Sequence, residues 1–217
     1  MPFYKEISFE NKASLFLWKI EEPLNFFLEN VSLTKASKER LNNMKSEQHK
    51  KGFLAVRMLL KYISFYDDNL LYDNSGKPYL IENNLNDNHK INISISHSHE
   101  LSGILISKSL PIGLDIEVVK PKILAIAPKF MDVFYLNNLN EKQKEIKATI
   151  IWCIKESIFK IKNQKGISFL KHISEKDFNL LDNKTKAYLN FNNTKESFTV
   201  YFDTFEGYAC VCAFPKS

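Results

Sequence analysis

Residues 112–119 read Ile-Gly-Leu-Asp-Ile-Glu-Val-Val, an apolar and largely β-branched run that holds two carboxylates. β-Branched side chains favour strands, so the run predicts a strand with at least one buried face. Successive strand residues point to opposite faces, and Asp115 and Glu117 therefore share a side. Because a buried carboxylate needs a partner, the fold must bring a cation or hydrogen-bond donors to this strand.

Residues 141–162 predict a helix that can supply such a partner. Trp152, Glu156 and Lys160 fall at i, i+4 and i+8, so they lie along one face of the helix. Brought beside the two strand carboxylates, this face adds a third carboxylate and an ammonium group. Such a set suits a hard cation such as Mg²⁺ that bridges to phosphate oxygens.

The order of elements predicts an α+β protein with two similar α/β halves, residues 1–110 and 111–217, that meet near Leu110 and Pro111. A chain of 217 residues with 44% hydrophobic content can bury a core in each. A turn is expected over 72–79 and a polar loop over 83–89. The predicted helices span 22–28, 35–43, 46–66, 123–136 and 141–162, and the predicted strands span 13–20, 91–96, 102–106, the segment through Asp115, 187–191, 197–202 and 208–214.

Charge is mixed, and the net value of +5 is a modest bias that is concentrated in one stretch. Between residues 35 and 61 eight basic side chains face only Glu39 and Glu47. This stretch is a candidate surface for phosphates or for an acidic protein partner. The basic residues are Lys35, Lys38, Arg40, Lys45, Lys50, Lys51, Arg57 and Lys61.

The cysteine count and the lack of long apolar runs predict a soluble, cytoplasmic protein. Three cysteines without framework spacing favour a reducing compartment over a disulfide scaffold. Cys210 and Cys212 fall in an apolar strand and are expected to be small buried hydrophobes more than metal ligands. The first residues lack the pattern of a signal peptide, and no run is long enough to span a membrane.

Two further segments carry polar groups that suit a nucleotide. His97 and His99 follow a strand, where they would bind zinc, contact a phosphate or simply complete a turn; no third zinc ligand stands at a diagnostic spacing. Gly76-Lys77-Pro78 is a β-turn by its chemistry, and a lysine on a rigid turn beside backbone amides also suits a phosphate or a base.

Taken in order, these segments resemble the 4′-phosphopantetheinyl transferases of the pseudo-dimeric type, which activate carrier proteins of peptide, polyketide and fatty-acid synthases. The resemblance covers most of the chain and implies two fused halves with the active site at their interface. It rests on four motifs: the Gly76-Lys77-Pro78 turn, Ile95-Ser96-His97-Ser98, the strand through Asp115 and Glu117, and Trp152-x-x-Lys155-Glu156-Ser157-x-x-Lys160.

The resemblance implies that Asp115, Glu117 and Glu156 coordinate Mg²⁺ against the pyrophosphate of coenzyme A, the co-substrate. It also implies that Lys160 binds a pyrophosphate oxygen. A serine hydroxyl of the apo carrier would attack the β-phosphorus, with 3′,5′-ADP as the leaving group. Glu156, directly or through a metal-bound water, would accept the serine proton.

The same resemblance assigns contacts with the nucleotide end of coenzyme A. His97 would hold a phosphate of the 3′,5′-ADP moiety, and Lys77 and Pro78 would border the adenine with Ser96 nearby. Basic residues ahead of the long helix would take the 3′-phosphate, namely Lys38, Arg40 and Lys51.

The implied protein partner is an acyl or peptidyl carrier protein with an acidic surface. Lys120 and Lys122, in an apolar segment after Glu117, either border its docking surface or are ordinary solvated lysines. No nucleic-acid or membrane partner is expected, and two fused halves would make a monomer sufficient.

Two other functions fit part of the pattern. A metal-dependent nuclease also uses carboxylates and a lysine, but its lysine usually follows the acid by two residues on one strand. A non-catalytic protein that binds coenzyme A or a carrier is the second alternative, and the intact acids and lysines argue against it.

Overall fold

The computed structural model describes residues 3–10, 13–84 and 87–216. The chain forms two compact units, residues 1–109 (the N-terminal unit) and 110–217 (the C-terminal unit). Each unit combines an antiparallel sheet with a long helix packed on one of its faces, so the predicted α+β class is confirmed.

The N-terminal unit is built on a six-stranded antiparallel sheet. Its strands are β1 Phe3–Phe9, β2 Ala13–Lys19, β3 Leu70–Tyr72, β4 Pro78–Asn84, β5 Asp87–Ser98 and β6 Leu101–Ser107. They lie in the order β1-β2-β6-β5-β4-β3. Its helices are α1 Leu24–Asn30, α2 Lys35–Asn43 and α3 Glu47–Tyr62, with a short 3₁₀ turn at Asp67–Asn69.

Helix α3 organises the core of this unit. Ser46 caps its N-terminus by accepting a hydrogen bond from the backbone N–H of His49 at 3.4 Å. Its buried face carries Phe53, Val56 and Leu60 at helical spacing, and these side chains pack against β2, β5 and β6. The predicted helix over 46–66 is therefore confirmed, although it ends at Tyr62.

The C-terminal unit is built on a five-stranded antiparallel sheet in the order β7-β11-β10-β9-β8. Its strands are β7 Gly113–Val118, β8 Ile173–Glu175, β9 Lys184–Phe191, β10 Thr194–Phe205 and β11 Tyr208–Pro215. Its helices are α4 Ile123–Ile126, α5 Glu141–Lys162 and α6 Phe169–His172.

Helix α5 has a capping residue at each end. Asn140 and Gln143 form a reciprocal capping box at its start. Asn163 ends it in the left-handed conformation at φ 45°. The helix packs on β7 and β11, and its buried face completes the core of the unit.

Two sequence predictions are wrong in part. The helix expected over 123–136 is interrupted: only Ile123–Ile126 is α-helical, and 3₁₀ turns follow at Ala127–Lys129 and Val133–Leu136. Pro128 lacks an N–H, and the Asp132 side chain caps a new turn by accepting from Phe134 N at 2.9 Å.

The polar loop expected over 83–89 is largely strand, because β4 runs to Asn84 and β5 begins at Asp87; residues 85–86 lie outside the described residues. Strands β1, β3, β4 and β8 were not predicted either. β3 and β8 have only three residues each, and β1 and β4 mix polar and apolar residues.

All three cysteines lie within the described residues, and all are buried free thiols. Cys210 and Cys212 are 4% and 3% exposed on β11, so their expected role as small buried side chains is confirmed. None of the helices in the described residues is long and apolar enough to cross a membrane.

Candidate active site

The two strand carboxylates lie on the face of β7 that is turned toward α5. Asp115 pairs with Val211 of β11 and Glu117 pairs with Ala209, and both partners belong to the core under α5. Directly opposed residues of antiparallel strands share a face. Asp115 is only 4% exposed, whereas Glu117 is half-buried. The sequence prediction that both carboxylates share a side is confirmed.

Lys160 of α5 reaches this strand directly. Its Nζ donates to Asp115 Oδ1 at 2.8 Å and to the backbone carbonyl of Leu114 at 2.8 Å. The Lys160 side chain remains 30% exposed. The carboxylate of this ion pair is thus buried, whereas the Lys160 side chain is partly exposed.

Gly113 allows this approach of helix and strand. A Cβ on Gly113 would lie 1.9 Å from the backbone oxygen of Ser157 and 2.7 Å from its carbonyl carbon. No side chain fits such a space. The backbone of α5 therefore rests directly on β7 one residue before the strand presents Leu114 and Asp115.

Glu156 lies one helical turn before Lys160 on the same face of α5, half-buried. Burial raises the pKa of Glu156, and the negative charge of Asp115 raises it further; Lys160 counteracts this, and Glu117 adds to it. The three carboxylates predicted from the sequence are thus near enough to repel one another. Lys160 offsets only part of that repulsion.

The donor chemistry of this cluster fits a hard divalent cation, because it consists of carboxylate oxygens whose mutual repulsion a cation would relieve. As they stand, however, no three His, Cys, Asp or Glu side chains among residues 3–10, 13–84 and 87–216 are arranged to hold a metal ion. In this arrangement Asp115 Oδ1 is bonded to the Lys160 ammonium group.

A second polar site lies within the N-terminal unit, where a cavity of about 540 Å³ opens between α2, α3 and the strands β3–β5. Its lining combines aromatic rings with basic side chains. The lining residues are Arg40, Met44, His49, Phe53, Val56, Arg57, Tyr72, Pro78, Ile95 and His97.

His97 reaches this cavity because Gly52 of α3 has no side chain. A Cβ on Gly52 would come within 2.8 Å of Cδ2 of the His97 ring. The ring of His49, three residues earlier on α3, lies 6.2 Å from that of His97 at an interplanar angle of 81°. Two imidazoles therefore stand side by side in the cavity wall.

Arg57 lines the cavity, but its charge is already paired. Its Nε donates to Asp67 Oδ1 at 2.9 Å, and both side chains are almost fully buried. Asp67 also accepts from the backbone N–H and the hydroxyl of Thr34, at 2.9 and 2.8 Å, and from Ser37 Oγ at 3.0 Å. Burial disfavours the charged carboxylate, but these bonds outweigh it and lower the pKa of Asp67.

Residues 111–213 match the family model of the 4′-phosphopantetheinyl transferase superfamily. The C-terminal half belongs to this superfamily. The match confirms the resemblance to the phosphopantetheinyl transferases and the assignment as an enzyme, whereas the pseudo-dimeric type stays a prediction. Phosphopantetheinyl transferases move the phosphopantetheine arm of coenzyme A to carrier proteins. The matched region contains Asp115, Glu117, Glu156 and Lys160. A search of curated proteins found none that matches the chain.

Within the phosphopantetheinyl transferase domain, the two lysines of the Trp152–Lys160 motif have different surroundings. Lys155 is buried, donates to the carbonyl of Ile173 at 2.5 Å and forms an ion pair with Glu175. Burial lowers the pKa of Lys155, whereas Glu175 opposes that change. Lys155 thus ties α5 to β8, and only Lys160 reaches the carboxylates on β7.

Cys153 is a neighbour of the transferase carboxylates that sequence reasoning did not single out. Burial raises the pKa of its thiol well above the usual value, and the charges of Asp115 and Glu117 raise it further. Its position three residues before Glu156 on α5 was the available signal, because residues 153, 156 and 160 share a helical face.

Among the residues predicted to contact coenzyme A, Arg40, Pro78 and His97 line the cavity, whereas Lys38, Lys51, Lys77 and Ser96 do not. Ser96 is buried on the face of β5 opposite to His97. Lys51 follows His49 by two residues on α3, and Lys38 precedes Arg40 by two residues on α2. Each of these lysines therefore lies about 200° around its helix from the residue that lines the cavity.

Lys77 lies on the rigid turn that the sequence predicted. The side chain of Asp73 accepts from the backbone N–H of Ser75 at 2.8 Å and from that of Lys77 at 3.0 Å. Gly76 has φ 82°, which glycine adopts without strain. The turn leads directly to Pro78, the first residue of β4 in the cavity wall.

Proposed function

We propose that this chain is a Mg²⁺-dependent 4′-phosphopantetheinyl transferase of the pseudo-dimeric type. Its reaction transfers the 4′-phosphopantetheine arm of coenzyme A to a serine hydroxyl of an apo acyl or peptidyl carrier protein and releases 3′,5′-ADP. The observation that carries the proposal is the contact of Lys160 with Asp115, one helical turn from a half-buried Glu156. The common plan of the two units, a long helix on an antiparallel sheet, supports the pseudo-dimeric type.

Mg²⁺ would be held by Asp115, Glu117 and Glu156. The pKa of Glu156 is raised by burial and by the two other carboxylates, so the cluster carries more negative charge than Lys160 alone offsets. When bound, the cation would neutralise charge on the pyrophosphate of coenzyme A.

Lys160 and Glu156 would act on the reacting groups. The serine oxygen forms a bond to the β-phosphorus, and the bond from that phosphorus to the bridging oxygen breaks, so the electron pair leaves on 3′,5′-ADP. The Lys160 ammonium group binds a pyrophosphate oxygen and stabilises the charge that develops during this step. Glu156 accepts the serine proton, directly or through a water molecule.

The N-terminal unit would bind the nucleotide end of coenzyme A. A cavity with Arg40 and His97 beside aromatic rings and Pro78 supports this, because it offers positive charge next to apolar surface for a base. Contacts from Lys77, Ser96, Lys38 and Lys51 stay predictions, and their places outside the cavity lining make them weaker candidates than Arg40 and His97.

The carrier protein would dock with an acidic surface on the segment after β7. Lys122 is exposed and Lys120 half-buried there. Exposed apolar side chains follow at Ile126, Val133 and Phe134, which are 37%, 47% and 70% exposed. A mixture of lysines and apolar side chains suits an acidic partner. The monomeric state and the cytoplasmic location stay predictions.

The transfer assay tests this function directly. The chain is incubated with coenzyme A, Mg²⁺ and a panel of apo acyl and peptidyl carrier proteins, and each carrier is weighed by mass spectrometry. We expect a phosphopantetheine adduct that disappears with Glu156→Gln or with a chelator. Glu141→Gln, an exposed acid paired with Lys144 at the start of α5, is the matched control and should retain full activity.

Two results would contradict the proposal. Transfer that persists in Glu156→Gln would remove Glu156 from the chemistry. The absence of an adduct with every carrier, while coenzyme A still binds, would favour a non-catalytic binding protein.

A further inference from the structure

The thiol of Cys153 lies between helix α5 and the sheet, on the side of the sheet that carries Asp115. Cys153 is fully buried and belongs to the same core cluster as Val211 of β11. Val211 is the residue that pairs with Asp115, so these two side chains point to the same face of the sheet. The core under α5 therefore contains both the thiol and the carboxylate.

The packing of α5 on β7 brings these two groups together. Gly113 lies against Ser157 and Ile161, since a Cβ on Gly113 would be 1.9 Å from the Ser157 oxygen and 3.1 Å from Cγ1 of Ile161. Asp115 is two residues further along the strand, a distance of about 6.6 Å. Cys153 is four residues before Ser157, a distance of about 6 Å along the helix. The two steps match, so the strand and the helix run past each other in opposite directions and Cys153 meets Asp115.

The thiol is a hydrogen-bond donor to the carboxylate. Burial is the largest cause of the raised pKa of Cys153, the charges of Asp115 and Glu117 come next, and a side-chain hydrogen bond with Asp115 adds to them. A thiol with the ordinary pKa of about 8.5 already keeps its proton at neutral pH. The S–H group is a weak donor, but an ionised acceptor strengthens the bond.

Asp115 is thus held by donors from two sides. Lys160 stands seven residues after Cys153, nearly two full turns of helix, and its long side chain leans back to Asp115 Oδ1 at 2.8 Å. The Lys160 side chain is 30% exposed, whereas Cys153 is buried in the core. In the proposed reaction Lys160 binds a pyrophosphate oxygen, while the thiol stays in place beneath the carboxylate.

We propose that Cys153 is a positioning residue of the transferase, whose thiol holds the Asp115 carboxylate in the orientation that presents an oxygen to the divalent cation. Groups that hydrogen-bond to metal ligands fix the orientation of those ligands. The inference rests on the proposed function, which makes Asp115 a cation ligand. It requires a hydrogen-bond donor at position 153, and a small apolar side chain would not suffice.

The experiment measures Mn²⁺ binding in the presence of coenzyme A and without carrier protein, from the paramagnetic resonance signal of free Mn²⁺. Mn²⁺ accepts the same oxygen ligands as Mg²⁺. Cys153→Ala removes the donor, and Cys153→Ser keeps a donor in a side chain that is also smaller than cysteine. Loss of such a partner weakens metal binding about 10- to 100-fold, and we expect the lower end for Cys153→Ala because a thiol is a weak donor. Cys153→Ser should bind Mn²⁺ nearly as tightly as the unaltered chain.

Cys212→Ala is the matched control, because it also removes a buried thiol from the same unit. Cys212 pairs with Leu114 and lies on the opposite face of the sheet from Asp115. Its loss should leave the affinity for Mn²⁺ unchanged. Calorimetry without a divalent cation should give the same affinity for coenzyme A in every variant, and circular dichroism shows whether each is folded.

Infrared spectroscopy adds a readout that packing alone would not change. The S–H stretching band of Cys153 is identified by its absence from the spectrum of Cys153→Ala. A hydrogen bond lowers the frequency of this band, and a carboxylate is a stronger acceptor than an amide. Asp115→Asn should therefore raise the frequency; an unchanged band would overturn the inference.

The outcomes separate this inference from the proposed function. Unchanged Mn²⁺ affinity in Cys153→Ala would overturn the inference, and so would equal losses in Cys153→Ala and Cys153→Ser, since packing would then explain them. Normal carrier modification together with either result would leave the transferase function standing. The expected pattern of Mn²⁺ affinities in a chain that modifies no carrier would support the positioning role and count against the transferase function.

Discussion

Gly113→Ala should move helix α5 away from strand β7 and so break the hydrogen bond between Lys160 and Asp115. The new Cβ would lie 1.9 Å from the oxygen of Ser157, whereas carbon–oxygen contacts relax near about 3.4 Å. The two backbones must therefore move apart by about 1.5 Å. A Lys160–Asp115 bond of 2.8 Å lengthened by this amount exceeds the reach of a hydrogen bond.

The expected result is a folded protein with a damaged site. A displacement near 1 Å can cost about 100-fold in rate. Overpacking of this kind costs about 1–3 kcal/mol of unfolding free energy. Urea denaturation measures the change in unfolding free energy. The initial rate of carrier modification, followed by mass spectrometry under conditions where the variant is fully folded, measures the loss of activity.

Gly207→Ala is the matched control for lost stability. Gly207 has φ 82° and nothing within 4 Å of its Cβ position, so alanine there adds backbone strain without a clash. It should lower stability by about 1 kcal/mol and leave the rate unchanged. A stably folded Gly113→Ala protein that transfers at the normal rate would refute the reasoning.

Three further substitutions test other parts of the structure. Asp67→Asn should lower the free energy of unfolding by about 3 kcal/mol at pH 7. The pKa of Asp67 is lowered in the folded protein, so its carboxylate stabilises the fold above the ordinary pKa of aspartate and loses this effect as the pH falls below about 4. The urea midpoints of the variant and the parent protein should therefore converge below about pH 4. Lys155→Met should cost about 3–5 kcal/mol by leaving Glu175 buried without its cation, and Lys155→Met with Glu175→Leu should recover part of this in the same assay. Charge reversal of Lys120 and Lys122 to glutamate should raise KM for the carrier severalfold without changing coenzyme A affinity; unchanged carrier kinetics would defeat the docking assignment.

The sequence predicted correctly how site residues are arranged within a single strand or helix. The period of two placed Asp115 and Glu117 on one side of a strand, and helical spacing placed Glu156 and Lys160 on one face. These features depend on neighbours within a few positions.

Contacts between distant segments were harder to predict. The resemblance implied phosphate contacts from Lys38, Arg40 and Lys51, but the sequence does not say which face of a helix meets a cavity, and only Arg40 of the three lines it. His49 lines the cavity because α3 packs against β5 at Gly52, a tertiary contact with no local signature. Likewise, nothing near Lys155 in the sequence indicated that Glu175 would be its partner in a buried ion pair.

The three buried thiols give the C-terminal unit a built-in chemical reporter. Cys153 lies on α5, Cys210 and Cys212 lie on β11, and the N-terminal unit has no cysteine in its sequence. Cys153 belongs to the core between α5 and the sheet, so an alkylating reagent can reach its sulfur atom only when the helix lifts from the sheet. Cys210 and Cys212 pair with Ile116 and Leu114 and therefore lie on the opposite face of the sheet. Labelling kinetics of Cys153 therefore measure how often α5 separates from the sheet, without any engineered probe.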